Sequence, residues 1–77
     1  MSIFEKAVQA SMAYPARRVR IVLADGTGLI GVVTTCVAGR QPNFGEGKFV
    51  FMTDGLYVEV HVSNVTAFDD ADGLKAN

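Results

Sequence analysis

Hydrophobic and polar positions follow a helical period at the start of the chain. Over residues 2–13 (SIFEKAVQASMA) the apolar residues recur near one helical face. Ser2 and Glu5 stand at the spacing of a capping box, which satisfies the first backbone N–H groups of a helix. Pro15 then ends the run. The pattern predicts one short amphipathic helix over about 3–13.

From Arg18 the apolar residues alternate with polar ones, which is the period of a β-strand. Asp-Gly pairs at 25–26 and 54–55 fit tight turns between antiparallel strands. The nearly continuous apolar run at 29–37 predicts a strand covered on both faces, and Gly31 inside it marks a bend or bulge. The predicted strands are 18–23, 29–37, 48–53, 56–62 and 65–68.

The remaining segments are a long loop and a polar tail. Residues 38–48 (AGRQPNFGEGK) contain three glycines and a proline, which is typical of a loop, and the acidic tail at 69–77 is expected to be flexible. No repeat or linker divides the chain. We therefore predict a single, mainly β domain: an N-terminal α-helix followed by a five-stranded, strongly bent antiparallel small barrel over about 17–68.

The size of the chain indicates how such a domain is stabilised. A domain near 77 residues buries only about 60% of the surface that its unfolded chain exposes, and small folds usually need an additional constraint. Cys36 is the only cysteine and there is one histidine, so an intrachain disulfide is excluded and a zinc site is not expected. Association with other copies remains, and no metal or cofactor is predicted.

Charge and hydropathy bear on whether the protein binds nucleic acid, spans a membrane or is secreted. The formal net charge is −1, so the chain lacks the strongly basic balance typical of nucleic-acid-binding proteins, although a local basic patch is compatible with it. No apolar run has membrane-spanning length, and Glu5 and Lys6 stand where a signal peptide would carry its apolar core. We expect a soluble cytoplasmic protein.

Catalysis is not expected. Enzymes need a nucleophile with a base, paired acids or a metal held by several ligands, and His61, Cys36 and the scattered carboxylates show no such spacing. Cys36 lies in an apolar strand without a basic neighbour in sequence, which is typical of a buried small hydrophobic residue.

The order of the elements resembles the Sm-like family, which includes RNA-binding ring proteins and the bacterial RNA chaperone. The resemblance covers about residues 3–68 and is carried by VRIVLADGTGLIGVV, FVFMTDG and YVEVHVSNVTAF. The family's first motif, V-x-V-x-L-x-D-G followed by a glycine in the second strand, is matched by Val19, Ile21, Leu23, Asp25, Gly26 and Gly31.

This resemblance implies a homo-oligomeric ring of five to seven subunits, joined by pairing of edge strands, that binds single-stranded RNA near its lumen. RNA-binding members carry an aspartate and an asparagine where this chain has Cys36 and Arg40, and the second motif, similar to I-R-G, is nearest to Val60-His61-Val62. Asn43 beside Phe44 offers a replacement amide and a stacking ring. The candidate RNA-binding residues are Arg40, Asn43, Phe44, His61 and Asn64.

Alternatives to an RNA-binding ring stay open. His61 in an outward position is also typical of a solvated side chain, and Phe44 also suits a ring folded over the open end of the barrel. The second hypothesis is a structural or protein-interaction barrel, derived for example from a phage or mobile element, that keeps the oligomer but has lost RNA binding. A monomeric barrel related to SH3 domains has the same strand count.

Overall fold

A computed structural model describes residues 1–39 and 47–71 of the chain. It confirms the mainly β fold class, with one N-terminal helix and five antiparallel strands. The elements are α1 (Ile3–Met12), β1 (Val19–Leu23), β2 (Gly28–Val37), β3 (Lys48–Thr53), β4 (Leu56–His61), the 3-10 helix η1 (Val62–Asn64) and β5 (Val65–Asp70).

Helix α1 begins at the predicted capping box. The Glu5 backbone N–H donates to Ser2 Oγ at 3.1 Å, and the Ser2 N–H donates to Glu5 Oε1 at 2.8 Å. This backbone hydrogen bond, with that of the Ser2 side chain, lowers the pKa of Glu5. Ala7 is fully buried, and α1 packs against β2 and β5. The helix therefore covers one side of the sheet.

Both predicted Asp-Gly turns are present. In the β1–β2 turn, Gly26 has a φ of 92°, and the Thr27 N–H donates to Asp25 Oδ1 at 2.9 Å. In the β3–β4 turn, Asp54 and Gly55 have φ values of 51° and 77°, the left-handed pair that a two-residue hairpin of type I′ requires. Each turn fixes the register of its hairpin.

The strand order is β4-β3-β2-β1-β5, with every neighbouring pair antiparallel. Strand β2 bends, because residues 28–31 pair with β1 and residues 32–37 pair with β3. A Cβ on Gly31 would lie 2.1 Å from the Met52 carbonyl oxygen, so only glycine permits this approach. The sheet is barrel-like but not closed: among the described residues, no strand pairing joins β4 to β5.

The core lies between the bent halves of the sheet and α1. Its largest fully buried side chains are those of Phe49, Phe51, Ile21 and Val62. Phe49 makes edge-to-face contacts with Phe51 and Phe68, at centroid distances of 6.2 and 6.1 Å. Such aromatic contacts add to the free energy gained by burial. The aromatic cluster therefore ties β3 to β5, which are not neighbours in the sheet.

The prediction that β2 is covered on both faces is wrong. Ile30 and Val37 on its outer face are 49% and 51% exposed, whereas Gly31 and Val33 on its inner face are buried. Helix α1 packs against the inner side, where Ala7 joins Val33 in the core. The uninterrupted apolar run thus reflects a half-covered strand with exposed apolar residues.

The ends of β4 and β5 also differ from the predicted ends. Strand β4 stops at His61, and Val62 begins η1. Strand β5 continues two residues beyond the predicted end at Phe68, so the start of the predicted flexible tail at residue 69 is wrong. The polar residues at 69 and 70 extend the strand because β1 offers a partner strand there, and the Ala71 N–H donates to the Arg18 carbonyl at 3.0 Å. The rest of the predicted tail, residues 72–77, lies outside the described residues.

Replacing Gly31 with alanine is expected to destabilise the fold by about 3 kcal/mol, because the new methyl group would meet backbone at Met52 as well as the Phe51 ring. Gly28→Ala is the control, since a Cβ there would lie 3.5 Å from the end of the Arg20 side chain. Urea unfolding of both variants measures the difference. Equal stability of the two variants would contradict a glycine-dependent bend.

Candidate nucleic-acid interface

Two of the five candidate RNA-binding residues lie in the described part of the chain. His61 ends β4 and Asn64 ends η1, so the two residues flank the connection between β4 and β5. Both are exposed. The other three candidates, Arg40, Asn43 and Phe44, lie outside the described residues, and their prediction stays untested.

Backbone hydrogen bonds hold the two described candidates in position. The Val62 N–H donates to the Gly47 carbonyl at 3.0 Å, and the Asn64 carbonyl accepts from the Ala24 N–H at 2.9 Å. The Val62 side chain is fully buried. Since η1 is anchored at both ends, the exposed His61 side chain projects from a well-supported backbone.

The ends of the segment that carries the other three candidates lie next to η1. Gly47 has a φ of 99°, and a Cβ there would lie 2.4 Å from the Val37 carbonyl oxygen and 2.8 Å from the Gly39 nitrogen. This close packing puts Gly39 and Gly47, the residues on either side of 40–46, beside each other. The chain therefore leaves and re-enters the described structure close to the base of η1.

Lys48 is a further basic residue near η1, and it was not among the predicted candidates. It lies opposite His61 in the β3–β4 register. The Lys48 Nζ is 3.1 Å from Glu59 Oε2, and the His61 Nε2 is 3.9 Å from Glu59 Oε1. The sequence could have placed Lys48 opposite His61, because a two-residue turn at Asp54-Gly55 fixes this register. Lys48, Glu59, His61 and Asn64 are called the η1 surface below.

The η1 surface combines groups that recognise nucleic acid with a group that opposes it. An ammonium and an exposed imidazole suit phosphate contact and base stacking. The Glu59 carboxylate beside them competes with phosphate for the same positive charge. The side chains of Lys48, Glu59 and His61 are 39%, 55% and 65% exposed, and exposed ion pairs contribute little free energy. Displacing the carboxylate is therefore inexpensive.

Basic residues of β1 and the segment before it lie beside acidic residues of β5. Arg17 forms an ion pair with Asp70, and Arg20 lies opposite Asp69 in the strand register. Acidic side chains beside the arginines reduce their attraction for phosphate. A solvated strand face describes these arginines better than a phosphate site does.

The described residues define the environment of the Cys36 thiol and the grouping of metal-ligating side chains. Burial raises the pKa of the Cys36 thiol and hydrogen bonding with Ser11 opposes that shift, so the thiolate is disfavoured. Residues 1–39 and 47–71 hold no group of three or more His, Cys, Asp or Glu side chains placed to bind a metal ion. Among the same residues, no helix is both long and apolar enough to cross a membrane.

Comparison with protein-family models, curated proteins and solved structures gave no match to the chain. The resemblance to the Sm-like family therefore rests on the order of the elements and on the first-motif residues. Two of these have a visible structural reason, since Gly26 has a positive φ and Gly31 leaves no room for a side chain. Family membership itself remains a proposal.

Lys48→Ala is expected to weaken binding of a U-rich oligonucleotide about twofold to fivefold, because one exposed charge is lost. Glu59→Gln is expected to strengthen binding by a similar factor, because it removes the competing carboxylate. Fluorescence anisotropy at low salt measures both. Arg20→Ala is the matched control, because Arg20 is an exposed basic residue on β1 away from the η1 surface, and an equal loss there would contradict a local role for Lys48.

Proposed function

We propose that this protein is an Sm-like subunit that assembles into a homo-oligomeric ring and binds single-stranded RNA at the η1 surface, with no catalytic step. The observation that carries the proposal is the open five-stranded sheet, with β4 and β5 at its two ends. The strand order, the bend at Gly31 and both Asp-Gly turns support the family resemblance.

The two edge strands can pair with each other between neighbouring subunits of a ring. Within residues 1–39 and 47–71, strand β4 pairs with β3 alone and strand β5 with β1 alone. Leu56 and Tyr57 on β4 are 65% and 71% exposed, although both are large and hydrophobic. Pairing β4 of one copy with β5 of the next is a head-to-tail contact, and such contacts close into a ring when the rotation permits.

A ring would repeat the η1 surface in every subunit. Each copy would present Lys48, His61 and Asn64 near Gly39 and Gly47, the described residues on either side of 40–46. Weak contacts repeated around a ring gain affinity because one strand of RNA occupies several sites at once. With a net charge of −1 per subunit, binding would depend on these local contacts and would fall steeply with salt.

The second candidate function is a structural or protein-interaction ring without RNA binding. Glu59 favours it, because its carboxylate lies within 3.1 Å of Lys48 and 3.9 Å of His61. Cys36 and Arg40 also favour it, because they stand where RNA-binding relatives of the Sm-like type carry aspartate and asparagine. The two functions share the assembly and differ at the η1 surface.

Light scattering of the purified protein, with and without short poly-U or poly-A at two salt concentrations, tests both functions. We expect an oligomer of five to seven subunits that gains the mass of the RNA at low salt and releases it at high salt. Phe44→Ala and Arg40→Ala are expected to reduce RNA binding while leaving the oligomer intact. An oligomer that ignores RNA would support the structural ring, and a monomer would contradict both.

A further inference from the structure

The free side of β5 is defined by its hydrogen bonds to β1. The Ala71 N–H donates to the Arg18 carbonyl, and hydrogen-bonded pairs alternate along an antiparallel ladder. Phe68 therefore directs its N–H and C=O away from β1, and its side chain points into the core, where it is 6% exposed. The Lys6 ammonium lies 3.5 Å from the Phe68 carbonyl oxygen, which agrees with this orientation.

The same reasoning defines the free side of β4. The Val62 N–H donates to the Gly47 carbonyl, so Val60 and Val58 are the β4 residues whose backbone groups face β3. Tyr57 and Glu59 direct theirs toward the open edge, and their side chains lie on the outer face of the sheet. The two edges therefore differ in their side chains. The β5 residue whose backbone faces the open edge has its side chain on the inner face, whereas the corresponding β4 residues have theirs on the outer face.

This difference decides which side chain reaches a neighbouring copy. In an antiparallel pair, directly opposed residues place their side chains on the same face. When β4 pairs antiparallel with β5 of a second copy, the outward side chain of Tyr57 must lie on the inner side of that copy, which is the face that holds its Phe68. In a parallel pair, Leu56 would lie there instead.

The inner side of β5 holds a groove that suits such a side chain. An open groove of about 450 Å³ lies between α1 and β5. Its apolar lining comes from Ala10, Val19 and Phe68, and its polar and charged lining comes from Lys6, Gln9, Arg17, Asp69 and Asp70. A tyrosine ring needs an apolar surface, and its hydroxyl needs a hydrogen-bonding partner. Lysine side chains commonly block pairing at an exposed strand edge. Here Lys6 would give up its contact with the Phe68 carbonyl, which would then accept a hydrogen bond from the incoming strand.

We propose that Tyr57 is the anchor of the subunit contact and inserts into the groove between α1 and β5 of the adjoining copy. This inference rests on the proposed ring and adds the residue that anchors the contact between its subunits. The occupant is a second copy of this chain, because β4 supplies both the backbone orientation and an aromatic residue that is 71% exposed at its edge.

Intermolecular disulfide formation tests the proposal. In a Cys36→Ser background, chains carrying Tyr57→Cys are refolded together with chains carrying Gln9→Cys and then oxidised mildly. We expect a cross-linked dimer of the two different chains. Leu56→Cys with Gln9→Cys is the matched control, since Leu56 is 65% exposed but points to the other face. That control pair is expected to cross-link at least tenfold less.

The outcomes separate the inference from the ring itself. Cross-linking through Leu56 instead of Tyr57, or no cross-link in variants that light scattering shows to be oligomeric, would overturn the anchor and leave the ring standing. A monomeric parent protein would overturn both.

A second measurement does not depend on engineered thiols. Tyr57→Ala is expected to raise the concentration at which the oligomer forms at least tenfold, as loss of a central aromatic anchor does. Tyr14→Ala is the control, because Tyr14 is 99% exposed and lies outside the strands. An equal effect of the two substitutions, or none of Tyr57→Ala, would contradict the proposal.

Discussion

The bend of β2 at Gly31 is the constraint on which the rest of the structure depends. One continuous strand serves two partners, and it changes partner where the Met52 carbonyl comes too close for any side chain. Because of that bend, β1 and β5 fold over β3 and β4, and the phenylalanines of β3 meet Phe68 of β5. Without it, the same hydrophobic residues would line a flat sheet with no enclosed core.

The bend also determines where binding can occur. It leaves β4 and β5 as the two ends of an open sheet, and it brings the connection between them, η1, to the place where residues 39 and 47 meet. A small domain with unprotected strand edges is prone to associate. In the proposed function the edges serve assembly and the η1 surface serves recognition, so loss of the second would leave the first intact.

Much of the fold was predictable from local signals. The capping box at Ser2 and Glu5 and the turn pairs at residues 25–26 and 54–55 act over a few residues, and each is where the sequence indicates. Which faces of β2 are buried was not predictable, because an apolar run shows that its residues are hydrophobic but not which face another element covers. Ile30 and Val37 are exposed for that reason.

The candidate site was predictable only in part, since it combines residues far apart in the chain. His61 was named from its place in the second motif of the resemblance, whereas the role of Glu59 and Lys48 follows from the strand register that puts them beside it. That register follows from the turn at residues 54–55 once the hairpin is assumed. The length of segment 40–46 offers no comparable rule, so the roles of its residues stay predictions.

In the proposed ring, copies of this chain join head to tail through β4 and β5 and close on themselves. Native mass spectrometry of the full chain counts the subunits. We expect one dominant species whose mass is five to seven times the 8.2 kDa subunit and which does not grow as the concentration rises. A monomer, or a dimer that forms no larger species, would contradict it.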